Sequence, residues 1–245
     1  MDFIIGFLLS AAIGGIAYKK QSLDFSGLVT AIAIGTVLYG FVGAFSFAML
    51  MLFFISSSLI SRLNPDKKSS RRSSIQVLAN GGMVGVLSVI YGLSQDRVVF
   101  ILILTSIAIA ASDTWSGEIG RLSKSLPKII FTNKIVPKGL SGGVTPLGFF
   151  ASFLAAGIFA VLSLSVVSPL DAVLIFVFAF FGGVLDSVLG IVQVKYKDIK
   201  NDVLTEKTGP NIVYHSGLRW LDNNLVNFLS NGGAVLLLML IYFWA

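Results

Sequence analysis

The chain of 245 residues has no cysteine, a single histidine (His215) and few charged residues. The lack of cysteine excludes disulfide frameworks, thiolate metal sites and cysteine nucleophiles, and one histidine excludes a zinc site built from several. Only 12% of the residues are charged and 55% are hydrophobic, whereas a soluble domain carries about 25% charged residues. The composition therefore excludes an ordinary soluble globular protein.

Long uncharged runs take up most of the sequence. No charged residue lies between Asp24 and Arg62, between Lys138 and Asp171, or after Asp222. A helix needs about 20 mostly apolar residues to cross a bilayer. Breaking the runs at charges, glycine, proline and polar clusters predicts an all-α, polytopic membrane bundle in one integral membrane domain, residues 1–245. The predicted spans are 3–18, 25–40, 43–61, 76–94, 98–118, 143–167, 170–194 and 224–244.

The loop charges support dividing residues 25–61 into two spans, which rests on a turn at Tyr39-Gly40 and Gly43. With eight spans, all but one of the 18 basic residues lie in loops on one side, and merging 25–61 would scatter them onto both faces. Arg97 is the exception. The positive-inside rule then predicts cytosolic basic loops and both termini outside.

Two further expectations follow from these charges. The first span lacks a preceding basic region and an Ala-x-Ala site, so we expect a retained helix and not a cleaved signal peptide. The net charge of +6 is typical of loops that face anionic lipid and cytosol. We therefore expect membrane lipids, and no nucleic acid, as partners.

Three acids lie inside predicted spans, Asp113 and Glu118 in the fifth and Asp186 in the seventh. Ionisable groups in hydrocarbon are costly and are functional candidates by default. At a rise of about 1.5 Å per residue, Asp113 and Asp186 lie about 12–14 Å below the basic edge, at the level of Asn80 and Asn227. The sequence thus predicts a polar layer that opens to the cytosol.

Two unpaired carboxylates at one depth repel each other unless a cation lies between them. Mg²⁺ is favoured because it takes carboxylate oxygens, keeps several waters and bridges to phosphates. The alternative for either aspartate is a protonated or purely structural carboxyl. For Glu118, an ion pair with Arg121 competes equally with a role as ligand.

A second group of residues suits an anion. Lys134 and Lys138 precede Gly142-Gly143, where the sixth span is predicted to start, and backbone N–H groups at a helix start attract phosphates. The segment is not a Walker A sequence. Gly182-Gly183 is expected to serve helix packing, and Lys195 is expected to be a lipid-surface charge.

Five segments, in order along the chain, resemble one family of integral membrane proteins. The family includes eukaryotic transmembrane protein 19 and the phytyl-phosphate kinases of plants and cyanobacteria. The segments are QVLANGG (76–82), SDTWSGE (112–118), PKGLSGGVT (137–145), LDSVLG (185–190) and WLDNNLVNFLS (220–230). The resemblance implies a membrane kinase that converts a prenyl monophosphate to the diphosphate, with CTP as a favoured donor. Phytyl phosphate and geranylgeranyl phosphate are equally plausible acceptors.

On this interpretation, Asp113, Asp186 and Glu118 hold Mg²⁺ on the donor phosphates, and Lys138 acts with the two aspartates in catalysis. The residues expected to bind nucleotide and substrate are Arg72, Gln76, Asn80, Lys134, Ser141, Gly142, Gly143, Asn224 and Asn227. Phosphoryl transfer needs little from a protein beyond positioning, metal and positive charge.

Two other functions remain open. One is a cation- or proton-coupled transporter with Asp113 and Asp186 as coupling site. The other is a CTP-dependent lipid cytidylyltransferase, which would release pyrophosphate. A transporter needs access from both faces, whereas the predicted polar groups cluster towards the cytosol and the outside loops are very short.

Overall fold

The computed structural model describes residues 1–64 and 71–244, so Lys67 and Lys68 of the second basic loop lie outside the described residues. This part of the chain forms eight helices, each long and apolar enough to cross a membrane. They are α1 (Asp2–Lys19), α2 (Phe25–Val42), α3 (Ala44–Ser61), α4 (Ser74–Ser94), α5 (Arg97–Arg121), α6 (Pro146–Ser163), α7 (Pro169–Val192) and α8 (Asn223–Trp244). The predicted helical membrane bundle is confirmed.

The break between α2 and α3 lies at Gly43. This residue has φ of +98°, a conformation that glycine adopts without the steric penalty of a side chain. Tyr39 and Gly40, predicted to share the turn, are instead in the last turns of α2. The division of residues 25–61 into two helices is therefore correct.

The centre of the bundle is α5. Its residues 101–112 are buried on every side because this segment consists of apolar residues and three small hydroxyl residues whose side chains are hydrogen-bonded. α5 packs against α3, α4, α6, α7 and α8, while α1 packs on α2 and α2 packs on α4. Asp113 follows the buried run directly, so it is carried on the most enclosed helix.

The sixth span is shorter than the predicted 143–167. Thr145 caps α6, since its Oγ1 accepts a hydrogen bond from Gly148 N at 3.1 Å, and Pro146 occupies the first helical position, where proline is favoured. At the other end, residues after Ser163 turn towards Ser168, which caps α7. The remaining helices match their predicted spans to within one turn.

Two small antiparallel sheets lie in the basic loops, an addition to the predicted all-α fold. β1 (Lys128–Ile129) pairs with β2 (Gly143–Val144). In the loop after α7, β3 (Lys195–Asp198) lies between β4 (Val203–Thr205) and β5 (Ile212–Ser216). These sheets cover the end of the bundle to which the basic loops belong.

Lys195, at the start of β3, is buried and is not the lipid-surface charge that was expected. Its Nζ donates to the carbonyls of Gly190 at 2.7 Å and Ile191 at 2.9 Å, in the last turn of α7. Burial lowers the pKa of Lys195, and the nearby Glu206 carboxylate opposes that shift. The ammonium thus caps the C-terminus of α7.

At the opposite end of the bundle, Asp171 on α7 is buried in a set of partners. Its carboxylate contacts Arg97 Nη2 at 2.5 Å and accepts hydrogen bonds from Tyr242 Oη at 2.6 Å and Ser168 Oγ at 2.7 Å. These contacts tie the first turns of α5 and α7 to the last turn of α8. The end that carries Arg97 is therefore held closed by side-chain bonds.

Candidate active site

A cavity of about 460 Å³ lies at the basic end of the bundle, beneath the loops that carry the sheets. Its polar wall comes from the starts of α4 and α8, the ends of α5 and α7, and the loops after α5 and α7. The polar residues that contribute to this wall include Arg72, Gln76, Asn80, Asp113, Glu118, Lys138, Ser141, Asp186, Glu206, Asn223, Asn224 and Asn227. The cavity brings together every predicted site residue except Lys134.

The carboxyls of Asp113 on α5 and Asp186 on α7 meet within hydrogen-bonding reach of each other, and both residues are half-buried. α8 supplies donors to Asp186. Ser230 Oγ donates to Asp186 Oδ2 at 3.2 Å, and the Asn227 amide, turned so that its nitrogen faces acceptors, donates to the same oxygen at 3.1 Å. Two carboxyls in contact require a shared proton or a cation.

Close packing of α5 and α7 brings the two acids together. A Cβ added at Gly182 would lie 2.6 Å from Ile109, and one added at Gly183 would lie 2.9 Å from Ser152 Oγ and 3.1 Å from Ser112 Oγ. Side chains at these positions would push the helices apart one turn before Asp186. The expected packing role of Gly182-Gly183 is confirmed.

Glu118 does not complete a three-acid metal site. In the described ranges, no three Asp, Glu, His or Cys side chains come close enough to hold one ion. The Glu118 carboxylate instead accepts a hydrogen bond from Asn64 Nδ2 at 2.7 Å. Asp113 and Asp186 are the two carboxylates close enough together to hold one ion between them, and Mg²⁺ needs only one or two carboxylates with water and phosphate oxygens.

Arg72 is fixed in the wall by its backbone. Its N–H donates to Ser22 O, and its carbonyl accepts from Asp24 N, both at 3.1 Å. The carbonyl lies so close to Gly27 that a Cβ there would collide with it, so glycine is required at the start of α2. The segment that leads into α4 is thereby tied to the turn between α1 and α2.

The Arg72 side chain points into the cavity between apolar and acidic neighbours. Nη1 donates to Ser58 Oγ at 3.0 Å, and the guanidinium lies 5.7 Å from the centre of the Phe54 ring. Burial lowers the pKa of Arg72, and the nearby Glu118 carboxylate opposes that shift. A half-buried guanidinium of this kind is a strong site for phosphate oxygens.

The loop after α5 forms the roof of the cavity. Lys138 Nζ donates to Ser123 O at 2.5 Å and Arg121 O at 3.3 Å, at the end of α5. Ser141 N donates to Glu206 Oε1 at 2.5 Å, and Ser141 Oγ donates to Asn223 Oδ1 at 3.0 Å. The roof is therefore joined to the loop after β4 and to the start of α8.

Three cavity features differ from the sequence prediction. Gly142 and Gly143 are not at a helix start; Gly143 N donates to Leu140 O at 3.2 Å within a turn. Gly142 has φ of +82° and packs against Gly190, where an added Cβ would lie 2.6 Å from Gly142 N. These glycines let the roof approach α7. Lys134 is exposed and does not line the cavity. Its backbone pairs with β1, and β1 separates it from β2, which lines the cavity.

Sequence reasoning missed Glu206, Asn223 and Asn64. Glu206 lines the cavity and interacts electrostatically with Asp186, although the two are on different elements. Asn223 lies in the WLDNNLVNFLS segment, but the sequence prediction includes only Asn224 and Asn227 of that segment. Asn64 lies in the polar stretch after α3, and nothing in that stretch indicates that its side chain bonds to Glu118.

The family described as Integral membrane protein DUF92 matches residues 8–235 of this chain. Protein PGR of Arabidopsis thaliana is 33% identical over 270 residues, covering 93% of this chain and 91% of that protein. Uncharacterized membrane protein MJ0933 of Methanocaldococcus jannaschii is 33% identical over 158 residues, covering 62% of this chain and 66% of that protein. Protein VTE6, chloroplastic, of Arabidopsis thaliana is 23% identical over 235 residues, covering 89% and 65% respectively. No solved structure matches.

Proposed function

Because the chain belongs to the DUF92 family of integral membrane proteins, we propose that it is a membrane kinase acting on a prenyl monophosphate. It transfers the γ-phosphate of a nucleoside triphosphate, with CTP as the favoured donor, to phytyl or geranylgeranyl phosphate. The observation that carries this proposal is the Asp113–Asp186 pair in a cavity that also holds the half-buried cation Arg72. The resemblance to phytyl-phosphate kinases supports it.

The transfer itself is a simple displacement. An oxygen of the acceptor monophosphate attacks the γ-phosphorus, the bond from that phosphorus to the β-phosphate oxygen breaks, and a nucleoside diphosphate leaves. The attacking oxygen is already anionic, so the site needs no strong general base. What the protein must supply is alignment of two phosphates and neutralisation of their charge.

The cavity residues divide this task. Asp113 and Asp186 would hold Mg²⁺, which neutralises donor phosphate charge when bound. Arg72 presents a planar set of N–H donors to phosphate. Lys138 uses two of the three donors of its ammonium on the described carbonyls, leaving the third for a phosphate oxygen. Asn80 and Asn227, whose amides lie 3.4 Å apart, orient the phosphates beside Asp186.

We place this end of the protein in the cytosol, with both termini outside. All but one of the basic residues belong to loops on this side, as expected for cytosolic loops. In that orientation a nucleotide reaches the cavity from water while the prenyl chain stays in the bilayer.

A coupled transporter is the less favoured function. Such a protein needs access to the acids from both faces of the membrane. The end of the bundle opposite the cavity is tied together by Asp171, Arg97 and Tyr242. This closed end favours chemistry at one face.

The test is to incubate the purified protein with Mg²⁺, phytyl or geranylgeranyl monophosphate and each of CTP, ATP, GTP and UTP, then to identify the lipids by mass. We expect a prenyl diphosphate and one nucleoside diphosphate for each product formed. A nucleotidyl-lipid with pyrophosphate would instead establish the cytidylyltransferase. If no combination reacts, the kinase is refuted, and ion flux in liposomes then tests the transporter.

A further inference from the structure

Part of the cavity lining is apolar and comes from α1, α2, α3 and α4. Six residues of this part are Ile13, Ala31, Ile34, Leu50, Met51 and Gly81; we call it the tail arm. We propose that the tail arm binds the hydrocarbon chain of the lipid acceptor, next to the phosphate, and sets which chain lengths react. This inference rests on the proposed function, because it concerns the acceptor of that reaction.

The first argument is depth. Ile13 lies six residues before Lys19 at the end of α1, and Leu50 lies eleven residues before Ser61 at the end of α3. At about 1.5 Å per residue, these positions are about 9 Å and 16 Å below the basic edge. The arm therefore spans the level of the acids, from a few ångströms nearer the basic edge to a few ångströms deeper, where the hydrocarbon chains of a bilayer lie.

The second argument is the junction between the arm and the acids. Arg72 contacts both kinds of lining, because its guanidinium lies 5.7 Å from the centre of the apolar Phe54 ring and its charge interacts with the Glu118 carboxylate. A cation next to both apolar and acidic parts of one cavity matches an amphiphile whose anionic head is attached to an apolar chain. A nucleotide has the opposite distribution, because a polar ribose and base follow its phosphates.

The third argument is the size of the residues in the wall. Ala31 and Gly81 are small residues on α2 and α4, facing the same space. A Cβ built at Gly81 would lie 3.4 Å from Ile34, an ordinary contact, so the backbone has room for a side chain that points towards Ile34 in the arm. These two positions are therefore expected to limit how much chain the arm can take.

The experiment compares Ala31→Phe with Ala33→Phe. Both changes are on α2, but Ala31 lines the arm whereas Ala33 is exposed on the outer face. Each variant is assayed with geranylgeranyl monophosphate and with dimethylallyl monophosphate, whose chain is too short to fill the arm. Turnover of the short substrate reports whether the active site is intact, and Gly81→Val provides a second filling variant should Ala31→Phe fail to fold.

We expect Ala31→Phe to lower kcat/KM for the long substrate by about tenfold or more, the effect of losing burial of roughly two methylene groups. The ratio of kcat/KM for the long substrate to that for the short substrate should therefore fall in Ala31→Phe, whereas Ala33→Phe should match the wild type on both. Equal behaviour of Ala31→Phe and Ala33→Phe on the long substrate would overturn the tail arm and leave the kinase standing.

A binding measurement separates the two proposals. A geranylgeranyl monophosphate that carries a benzophenone at the chain end should label α1 to α4 in the wild type, and Ala31→Phe should reduce that labelling. Labelling with no turnover would support the arm while refuting the kinase. Labelling confined to the outer faces of the bundle, or displacement of the lipid probe from the arm by CTP, would overturn the arm.

Discussion

Helices α5, α7 and α8 meet at both ends of the bundle, and the acids at the two ends have different partners. At one end, the Asp171 carboxylate is buried among Arg97, Tyr242 and Ser168. At the other, Asp113 and Asp186 meet each other, with neutral donors from α8. Asp171 is buried and the other two acids are half-buried, so the clearest difference between the ends lies in the partners of the carboxyls.

This difference separates structural acids from candidate functional ones. A buried carboxylate with a cation and hydroxyl donors is satisfied by the protein itself. A contacting pair of carboxylates is complete only with a proton or a cation from outside. The contacts of Asp171 hold the helices together at one end, and the other end, with Asp113 and Asp186, is the one where we propose that a ligand binds.

The largest effect is expected from Asp113→Asn and Asp186→Asn. Each change removes a carboxylate that would hold Mg²⁺ and should lower turnover by about 10³-fold or more, in the range of lost electrostatic stabilisation of a transition state. The thermal midpoint in detergent without Mg²⁺ should stay the same or rise, because a repulsive pair is removed. Activity like that of the wild type in either variant would refute the metal assignment of that residue.

Arg72→Lys should have the next largest effect. Lysine keeps the charge but loses the planar donor set and the contact with Phe54, so we expect KM for the lipid phosphate to rise about tenfold, as for one charged hydrogen bond. Arg71→Lys is the matched control, since Arg71 is the exposed neighbour. Equal KM values for the two variants would remove Arg72 from the phosphate site.

Asp171→Asn should lower stability and leave activity unchanged. Weakening the charged hydrogen bonds to Arg97 and Tyr242 should lower the free energy of unfolding by about 1.5–3 kcal/mol, towards the lower value because Arg97 is largely exposed to solvent. Equilibrium unfolding in detergent measures this change. Asp202→Asn, at the exposed pair with Lys197, is the control. A loss of turnover per folded molecule would contradict the conclusion that Asp171 is a structural acid and not a functional one.

The smallest effect is expected from Lys134→Ala. This lysine lies outside the cavity wall, so the variant should keep turnover within about twofold of the wild type, as surface substitutions usually do. Lys138→Ala, four residues along the same loop, should lower turnover because that ammonium lines the cavity. If both variants behave alike, the roof contributes no positive charge to the site.

Helix count and spacing could be predicted because hydropathy and loop charge act locally along the sequence. Gly43 and the basic loops were enough to divide residues 25–61. The sixth span was predicted too long because its whole region is uncharged, although Thr145 and Pro146 mark the true start of α6. The strands around Lys195 were not foreseen, since each is short and its pairing depends on residues far along the chain.

The candidate site shows the same contrast between features that are local in the sequence and contacts between distant residues. Depth along a helix placed Asp113, Asp186, Asn80 and Asn227 in one layer, and the structure brings them together. Contacts between elements could not be read from spacing. Glu206 reaches Ser141 across 65 residues of sequence, and Lys134 and Lys138 were indistinguishable until the fold of the roof separated them.

The uninterrupted apolar run at the start of α5 also has a role during membrane insertion, before the helices have packed together. During insertion, Asp113 enters the bilayer without Asp186 or the α8 donors, which follow later in the chain. A carboxylate near a helix centre disfavours insertion by about 2.5–3.5 kcal/mol, whereas each Leu, Ile, Val or Phe favours it by about 0.3–0.6 kcal/mol. Residues 98–104 are all of these four types. The segment that forms the core of the mature protein thus also lets its acid enter the membrane during biogenesis.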